Sequence, residues 1–230
     1  MECSIGWIKT RGGFLLFKSR EINDRTPILF NFIKKSKDYI SFEDKNVSGS
    51  WFGVNKKGIG IASAIASYRG SSKDSKCTNI DFKINKSILN KAKSVEEATQ
   101  EYLKIANKDN LCNSYDIIIG DKKHANIIEI LPNKTNITTY YDSVFRTTHL
   151  LNMKEYKKHR KQLDRSKAKL RKVIELTKKV KTPDDVVSIL NFHHKNGLKD
   201  VRRQHYGSDV GSVSAEWKNN EVVLYHVLNK

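Results

Sequence analysis

The sequence predicts an α+β fold, a four-layer αββα sandwich in which two stacked, mainly antiparallel sheets are flanked by helices. Three observations predict it. Strand pairs joined by short polar turns open and close the 230-residue chain. Helical patterns with capping residues occupy its middle and late parts. Because no repeat or low-complexity linker interrupts the chain, we expect a single domain over residues 1–230.

Three hairpins are predicted along the chain. Residues 3–9 have the pattern of a strand, residues 10–13 supply a turn with two glycines, and residues 14–17 form the returning apolar strand. A second hairpin is predicted over residues 49–62, with Asn-Lys-Lys-Gly as its turn. The last is predicted over residues 211–227. Strand pairs at both ends of the chain favour two sheets.

Helices are predicted over residues 94–107, 154–180 and 182–197. Ser94 and Glu97 form a capping box, which marks the start of the first helix. The second is lysine-rich, and its apolar positions lie mainly in its second half. Thr182 caps the third, and Pro183 occupies its first turn. These helices are expected to cover the two sheets.

Cys3 stands two positions after the initiator methionine, at the head of the first predicted strand. When a cysteine becomes the first residue of a mature chain, its thiol attacks a carbonyl group and its own α-amine accepts the proton. That amine is partly neutral at physiological pH and is available as a base. The alternative is that Cys3 is a small buried hydrophobe at the start of a strand.

Polar residues follow the returning strand of the first hairpin. Because an antiparallel strand returns to the level at which its partner began, we expect Arg20, Asn23 and Asp24 to lie near the Cys3 thiol. A guanidinium and a carboxylate at that place would orient the thiol and the amine.

Taken in order, these segments resemble the cysteine-type N-terminal nucleophile (Ntn) hydrolases, which include choloylglycine hydrolases, isopenicillin N acyltransferase-like proteins and NRDE proteins. A leading cysteine, a hairpin and an Arg-Asn-Asp cluster are similar to the family's opening. Residues 49–62 resemble the GGTWLGVN stretch of NRDE proteins. Residues 115–130 resemble a hairpin of acyltransferase-like members, and residues 146–150 stand where that family has a TNH motif. The resemblance implies the four-layer sandwich and an amidase or acyltransferase with Cys3 as nucleophile.

Some family positions are filled differently here. Choloylglycine hydrolases have Arg, two residues and then Asp, whereas Arg20 is followed at that offset by Asn23 and only then by Asp24. Either residue would fill the family's amine-contacting role. Glu2 is not a small residue, so ordinary methionine removal would not expose Cys3. Exposure requires cleavage of the Glu2–Cys3 bond, which autocatalytic Ntn members perform with the same thiol.

The resemblance also marks candidates for binding the substrate and its oxyanion. The asparagine expected after the second hairpin falls at Ser67 or Ile65, and the asparagine of the TNH motif is replaced by Thr148. His149 is a candidate pocket residue, with a structural histidine as the alternative. Arg203 could bind a substrate carboxylate or phosphate in bidentate fashion, with a surface loop as the alternative.

The chain carries a formal net charge of +18, and its densest positive part is residues 154–180. A basic helix of this kind could bind nucleic acid, an anionic membrane surface or an acidic partner. The alternative is a solvated helix face, and no base-reading motif is present. Three cysteines without CxxC spacing, and no signal peptide or membrane span, predict a cytoplasmic protein without a metal site.

The sequence therefore predicts an enzyme that cleaves a nonpeptide C–N bond of a small-molecule amide through an acyl-enzyme on Cys3, after removal of residues 1–2. No cofactor is expected, and a homo-oligomer is left open. The first alternative is a noncatalytic ligand-binding protein on the same fold, for example one that handles haem, as the likeness to NRDE proteins implies. A basic nucleic-acid-binding protein is the second.

Overall fold

The computed structural model describes residues 3–21, 31–44, 47–66, 80–108, 114–131, 134–147, 150–153, 160–180, 182–190 and 209–227. Within these residues the chain forms twelve strands and four helices. The strands are β1 (Ser4–Thr10), β2 (Gly13–Glu21), β3 (Asn31–Lys35), β4 (Tyr39–Asp44), β5 (Val47–Asn55), β6 (Gly60–Ala66), β7 (Ser114–Gly120), β8 (Ala125–Leu131), β9 (Lys134–Tyr140), β10 (Ser143–Arg146), β11 (Asp209–Lys218) and β12 (Glu221–Val227). The helices are α1 (Ile80–Lys91), α2 (Val95–Lys108), α3 (Arg160–Thr177) and α4 (Pro183–Leu190).

The strands form two antiparallel sheets. Sheet A has five strands in the order β10-β1-β2-β11-β12, and sheet B has seven in the order β3-β4-β5-β6-β7-β8-β9. In sheet B the strands lie side by side in chain order, and α1 and α2 come between β6 and β7. Sheet A instead brings the two ends of the chain together, because β2 pairs with β11. The strands of the first and last predicted hairpins therefore share one sheet.

Three apolar clusters define the layers. Between the sheets, side chains from both, including Trp7, Phe14 and Ile118, form one cluster, which we call the inter-sheet layer. A second cluster joins sheet B to α1 and α2, and a third joins sheet A to α3 and α4. Alternation along each strand sends successive side chains to opposite faces, so each sheet has one face toward the other sheet and one toward helices. The predicted αββα sandwich is confirmed.

The predicted hairpins are present, and their turn residues show why. Gly12 in the β1–β2 turn has φ of +83°, and Asn219 and Asn220 between β11 and β12 have φ of 52° and 64°. Two consecutive residues with positive φ are the signature of a type I′ turn, whose twist matches that of the flanking strands. In the turn between β5 and β6, Gly58 also has a positive φ, of +79°.

Helix capping follows the sequence prediction with one difference in detail. At the start of α2, the Ser94 hydroxyl accepts the Glu97 amide hydrogen at 3.1 Å, while Glu97 accepts from the amide of Lys93 rather than from that of Ser94. At the start of α4, Thr182 and Asp185 cap each other's amides at 2.9 and 3.3 Å. Local side-chain hydrogen bonds thus fix both helix starts.

The lysine-rich helix is shorter than predicted. Helix α3 ends at Thr177 because the amides of Lys179 and Val180 bond to carbonyl oxygens three residues back, which tightens the chain into a turn. Residues 154–159, and residues 191–197 of the next predicted helix, lie outside the described residues. None of the four described helices is long and apolar enough to cross a membrane.

Candidate active site

Cys3 lies directly before β1, at one end of the inter-sheet layer. Its side chain belongs to the cluster that includes Ile5 and Trp7, and the residue is 1% exposed. The sulfur is a free thiol rather than half of a disulfide. The structure therefore places the candidate nucleophile inside the molecule, between the sheets.

The ladder between β1 and β2 fixes which residues lie level with Cys3. Ser4 pairs with Ser19, and the Ser4 amide donates to the Ser19 hydroxyl at 3.0 Å. One further step of this register sets the backbone of Arg20 opposite Cys3, and on its other side Arg20 pairs with Gly211 of β11. The expectation that the hairpin returns to the level of Cys3 therefore agrees with the backbone, while the role of Arg20 stays a prediction.

The other candidates cannot be placed. Those outside the described residues are Glu2, Asn23, Asp24, Ser67, Thr148, His149 and Arg203. Their roles stay predictions. Ile65, the alternative to Ser67, lies in β6 opposite Tyr115 and packs against the cluster between sheet B and its helices. It therefore faces away from the inter-sheet layer.

Lys18 introduces a buried positive charge close to this end of the layer. It lies in β2 opposite Ile5 and is 1% exposed. Its ammonium group donates to the carbonyl oxygen of Ser63 and lies 5.5 Å from the centre of the Trp51 ring. Removing an ammonium group from water is costly unless such partners replace the solvent.

Sheet B presents two buried carboxylates toward the same region. Ala64, Asp116, Glu129 and Asn136 are aligned across β6, β7, β8 and β9. Asp116 alternates with Ile118, and Glu129 with Ile127, both members of the inter-sheet cluster, so both carboxylates point into the layer. Both residues are fully buried.

Arg146 supplies a second buried cation, at the end of β10 opposite Ile5 of β1. Its Nε atom lies 3.8 Å from the Glu129 carboxylate, and its Nη2 donates to the Tyr140 hydroxyl at 2.9 Å. Two cations and two anions therefore occupy the layer near Cys3. In this environment of low dielectric, fixed charges act strongly on any charge that develops during a reaction.

Asp116, Glu129 and Arg146 lie in segments that carry the family resemblance but were not predicted as site residues, and neither was Lys18. One signal was available. Asp116 precedes three isoleucines in one strand, Glu129 stands between two isoleucines in the next, and Lys18 follows the apolar run of residues 14–17. A charge on the inward face of a strand indicates a functional site more often than a surface charge does.

Within the described part of α3, the basic side chains are not all free at the surface. On α3, Lys167 and Arg171 are exposed one turn apart, but Lys169 is buried and Lys172 pairs with Glu175 at 2.8 Å. Binding of nucleic acid or of another anionic partner stays a prediction. Among the described residues, no three His, Cys, Asp or Glu side chains are arranged to hold a metal ion.

Residues 21–215 match the family model of acyl-coenzyme A:6-aminopenicillanic acid acyl-transferase. The matched range covers most of the chain but begins after Cys3 and Arg20, so it does not test either residue. No curated protein matches the chain in sequence.

Two solved structures illustrate the likeness in fold. An N-acylethanolamine-hydrolyzing acid amidase ortholog from Caenorhabditis elegans superimposes with a TM-score of 0.62 at 15% identity, over 92% of this chain and 92% of that chain. A variant of conjugated bile acid hydrolase from Clostridium perfringens gives a TM-score of 0.48 at 14% identity, over 97% of this chain and 92% of that chain. At these identities the first likeness concerns the fold alone.

Proposed function

We propose a substrate class and a nucleophile from one premise: the chain belongs to the acyl-coenzyme A:6-aminopenicillanic acid acyl-transferase family, one of the Ntn families. It is therefore an enzyme of amide and acyl-transfer chemistry, as the sequence predicted. The finer proposal is that Cys3 attacks the carbonyl carbon of a nonpeptide amide, forms a thioester and releases the amine. Water or an acceptor amine then takes the acyl group.

One observation carries the choice of Cys3. It is a free thiol at the end of the inter-sheet layer, and the buried charges of Lys18, Asp116, Glu129 and Arg146 lie at the same end. A protein keeps charges in its interior at a cost in stability. Their concentration beside one thiol supports a reactive role for it more than a packing role.

The chemistry requires a free amine on Cys3. Hydrolysis of the Glu2–Cys3 bond adds one water and leaves the α-amine at residue 3. This amine takes the thiol proton as sulfur attacks the carbonyl, and it then protonates the departing nitrogen. In the second half of the reaction, the amine takes a proton from water as the water oxygen attacks the thioester carbonyl. The C–S bond then breaks, the amine returns the proton to the sulfur, and a carboxylic acid leaves. Arg20 with Asn23 or Asp24 would orient the thiol and the amine.

Ser67 and Thr148 are proposed to contact the oxyanion of the tetrahedral intermediate. Removal of one such donor typically costs about two to three orders of magnitude in rate. His149 is proposed to line the pocket, and Arg203 to bind a carboxylate or phosphate of the substrate. Small N-acyl amides are the substrates to test. An N-acylethanolamine is the first of them, because the Caenorhabditis elegans neighbour is described as hydrolysing one.

The first measurement is the intact mass of the purified full chain. We expect a mature protein that begins at Cys3, and a Cys3→Ala variant that retains residues 1–2 and loses turnover by about a thousandfold or more. Cys77→Ala and Cys112→Ala, which remove the other cysteines of the sequence, should process and react normally. A chain that keeps Met1 and Glu2 at full activity, or an active Cys3→Ala variant, would overturn the proposal.

A further inference from the structure

Glu129 has no part in the bond changes described above, yet its contacts converge on the chain beside Cys3. We infer that Glu129 is a positioning residue, which fixes Arg146 at the end of β10, beside the start of β1, and holds the backbone of residues 151–152. The inference rests on the proposed function.

The Glu129 carboxylate lies in β8 of sheet B, and both of its oxygens accept hydrogen bonds. Its Oε1 accepts the amide hydrogen of Leu151 at 2.5 Å, and the amide nitrogen of Asn152 lies 3.2 Å from each carboxylate oxygen. The Asn136 side chain donates to Oε2 at 3.3 Å. Two consecutive backbone amides on one buried carboxylate hold the chain there through charge-assisted hydrogen bonds.

The same carboxylate also reaches the end of β10. Arg146, the last residue of β10, lies with its Nε 3.8 Å from Glu129 Oε1. Its guanidinium is further fixed by the Phe145 carbonyl oxygen at 2.9 Å and by the face of the Tyr140 ring at 5.4 Å. Glu129 therefore contacts both Arg146 and the backbone of residues 151–152.

The end of β10 lies close to the start of β1. Arg146 pairs with Ile5 in the antiparallel ladder, so the described end of β10 lies two residues from Cys3 in the register of β1. On the opposite face of sheet A, the Thr147 hydroxyl lies 2.8 Å from the Ser166 hydroxyl of α3. The end of β10 is thus anchored to α3 through Thr147 and to sheet B through Arg146 and Glu129.

Loss of the sheet B anchor should therefore affect catalysis more than substrate binding. A displacement of about 1 Å in a catalytic site costs about a hundredfold in rate. Glutamine at position 129 has a similar shape but can accept through only one oxygen. Its amide nitrogen would face donors in either orientation: Leu151 and Arg146 in the place of Oε1, or Asn136 in the place of Oε2.

The test compares Glu129→Gln with a matched control in the full-length enzyme. Glu43→Gln changes another buried glutamate of sheet B, which contacts Ser41, Lys34 and Lys86 on the face toward α1. Hydrogen exchange of the Leu151 and Asn152 amides and turnover of an N-acylethanolamine are measured on both variants. For Glu129→Gln we expect exchange at both amides to rise about tenfold or more, and kcat to fall by about tenfold to a hundredfold with KM within about threefold. Glu43→Gln should leave both readouts unchanged.

The outcomes separate this inference from the proposed function. Faster exchange with unchanged kcat would overturn the positioning role, and unchanged exchange would overturn the anchor itself. Activity in Cys3→Ala would instead overturn the proposed function, while the exchange result would still report on the anchor. Should Glu129→Gln fail to fold, Glu129→Asp, which keeps the charge but withdraws it by one methylene, is measured in the same two ways. Partial retention of kcat is then expected, and full retention contradicts the inference.

Discussion

The two ends of the inter-sheet layer are built from the same strands but contain different chemistry. At the turn end, Phe14 stacks on Trp217 with ring centres 6.1 Å apart, and the Trp7 indole fills the space beside Gly120. Away from the turn, the inward-facing pair after Trp7 and Leu16 is Ile5 and Lys18. Cys3 follows Ile5 as the next inward-facing residue of the first strand. One end is a close-packed apolar core, and the other is a site with buried charges.

This difference indicates that one end of the layer contributes mainly to stability and the other mainly to the proposed reaction. Apolar packing contributes about 1.5 to 3 kcal/mol for each large side chain that is fully buried. Buried ion pairs are often no better than neutral for stability, because desolvation offsets the attraction. We therefore expect substitutions at the turn end to lower stability, and substitutions at the Cys3 end to lower turnover.

The largest effect is expected at the turn end. Trp7 is fully buried, and its indole N–H donates to the Asp121 carbonyl oxygen at 3.1 Å, so Trp7→Ala should cost about 3 to 5 kcal/mol in the free energy of unfolding. Denaturant unfolding measures it. Val223→Ala, at a side chain that is 45% exposed, is the control and should change stability by less than about 0.5 kcal/mol. A similar loss in both variants would contradict a tightly packed turn end.

The next effect sharpens the comparison at the Cys3 end. Lys18→Met keeps the length of the side chain but removes its charge, so kcat should fall by about tenfold or more, because a buried cation no longer favours the negative charge that develops beside Cys3. Turnover at saturating substrate, per folded molecule, measures this. Leu16→Met, on the same face of β2 but two residues nearer the turn, should retain turnover and lose less than about 1.5 kcal/mol of stability. Equal turnover in the two variants would remove the functional distinction between the ends.

The smallest effect lies outside the layer, at the start of α2. A hydrogen bond to its own backbone amide lowers the pKa of Glu96, and burial opposes this effect. Hydrogen bonding from Ser94 and the neighbouring His124, whose Nε2 lies 3.1 Å from the carboxylate, lowers the pKa further, so the net direction is downward. Because the folded pKa is below the unfolded one, this contribution to stability is present above the usual pKa of a glutamate and is lost as pH falls through the folded value. Its size is small, since the Glu96 side chain is 68% exposed.

To test this contribution of Glu96, the free energy of unfolding is measured for wild type and for Glu96→Gln from about pH 6 down to about pH 3. The difference between the two should be largest at the upper end and shrink at the lower end. Glu221→Gln, at an exposed carboxylate at the start of β12, is the control. A difference that grows as the solution becomes more acidic would contradict the sign.

Local signals in the sequence were sufficient where a few neighbouring residues decide the structure. The capping hydrogen bonds of Ser94 and Thr182 lie within three residues, and the turn residues between β11 and β12 adopt positive φ irrespective of what surrounds them. The predictions of the hairpins and of two helix starts were confirmed for this reason. The family followed from the order of these segments together with a few residues inside them.

Other elements carried too weak a local signal. Strand β9 is rich in threonine and partly exposed at the edge of sheet B, so its sequence resembles a polar loop. Strand β10 is only four residues long, and its pairing with β1 spans more than a hundred residues of chain. Helix α1 begins without a described cap and has a weak apolar periodicity. Each depends on contacts that are distant in the sequence.

The sequence by itself determined the alternation of apolar and polar positions, the turns and the helix starts, and through them a two-sheet sandwich with Cys3 at the head of its first strand. These features depend on residues close together in the chain. Only the tertiary structure decided that Lys18, Asp116, Glu129 and Arg146 face one buried region, because they come from four strands of two sheets. Whether a charged residue on a strand faces solvent or the interior depends on which sheet covers it, and a single strand does not contain that information.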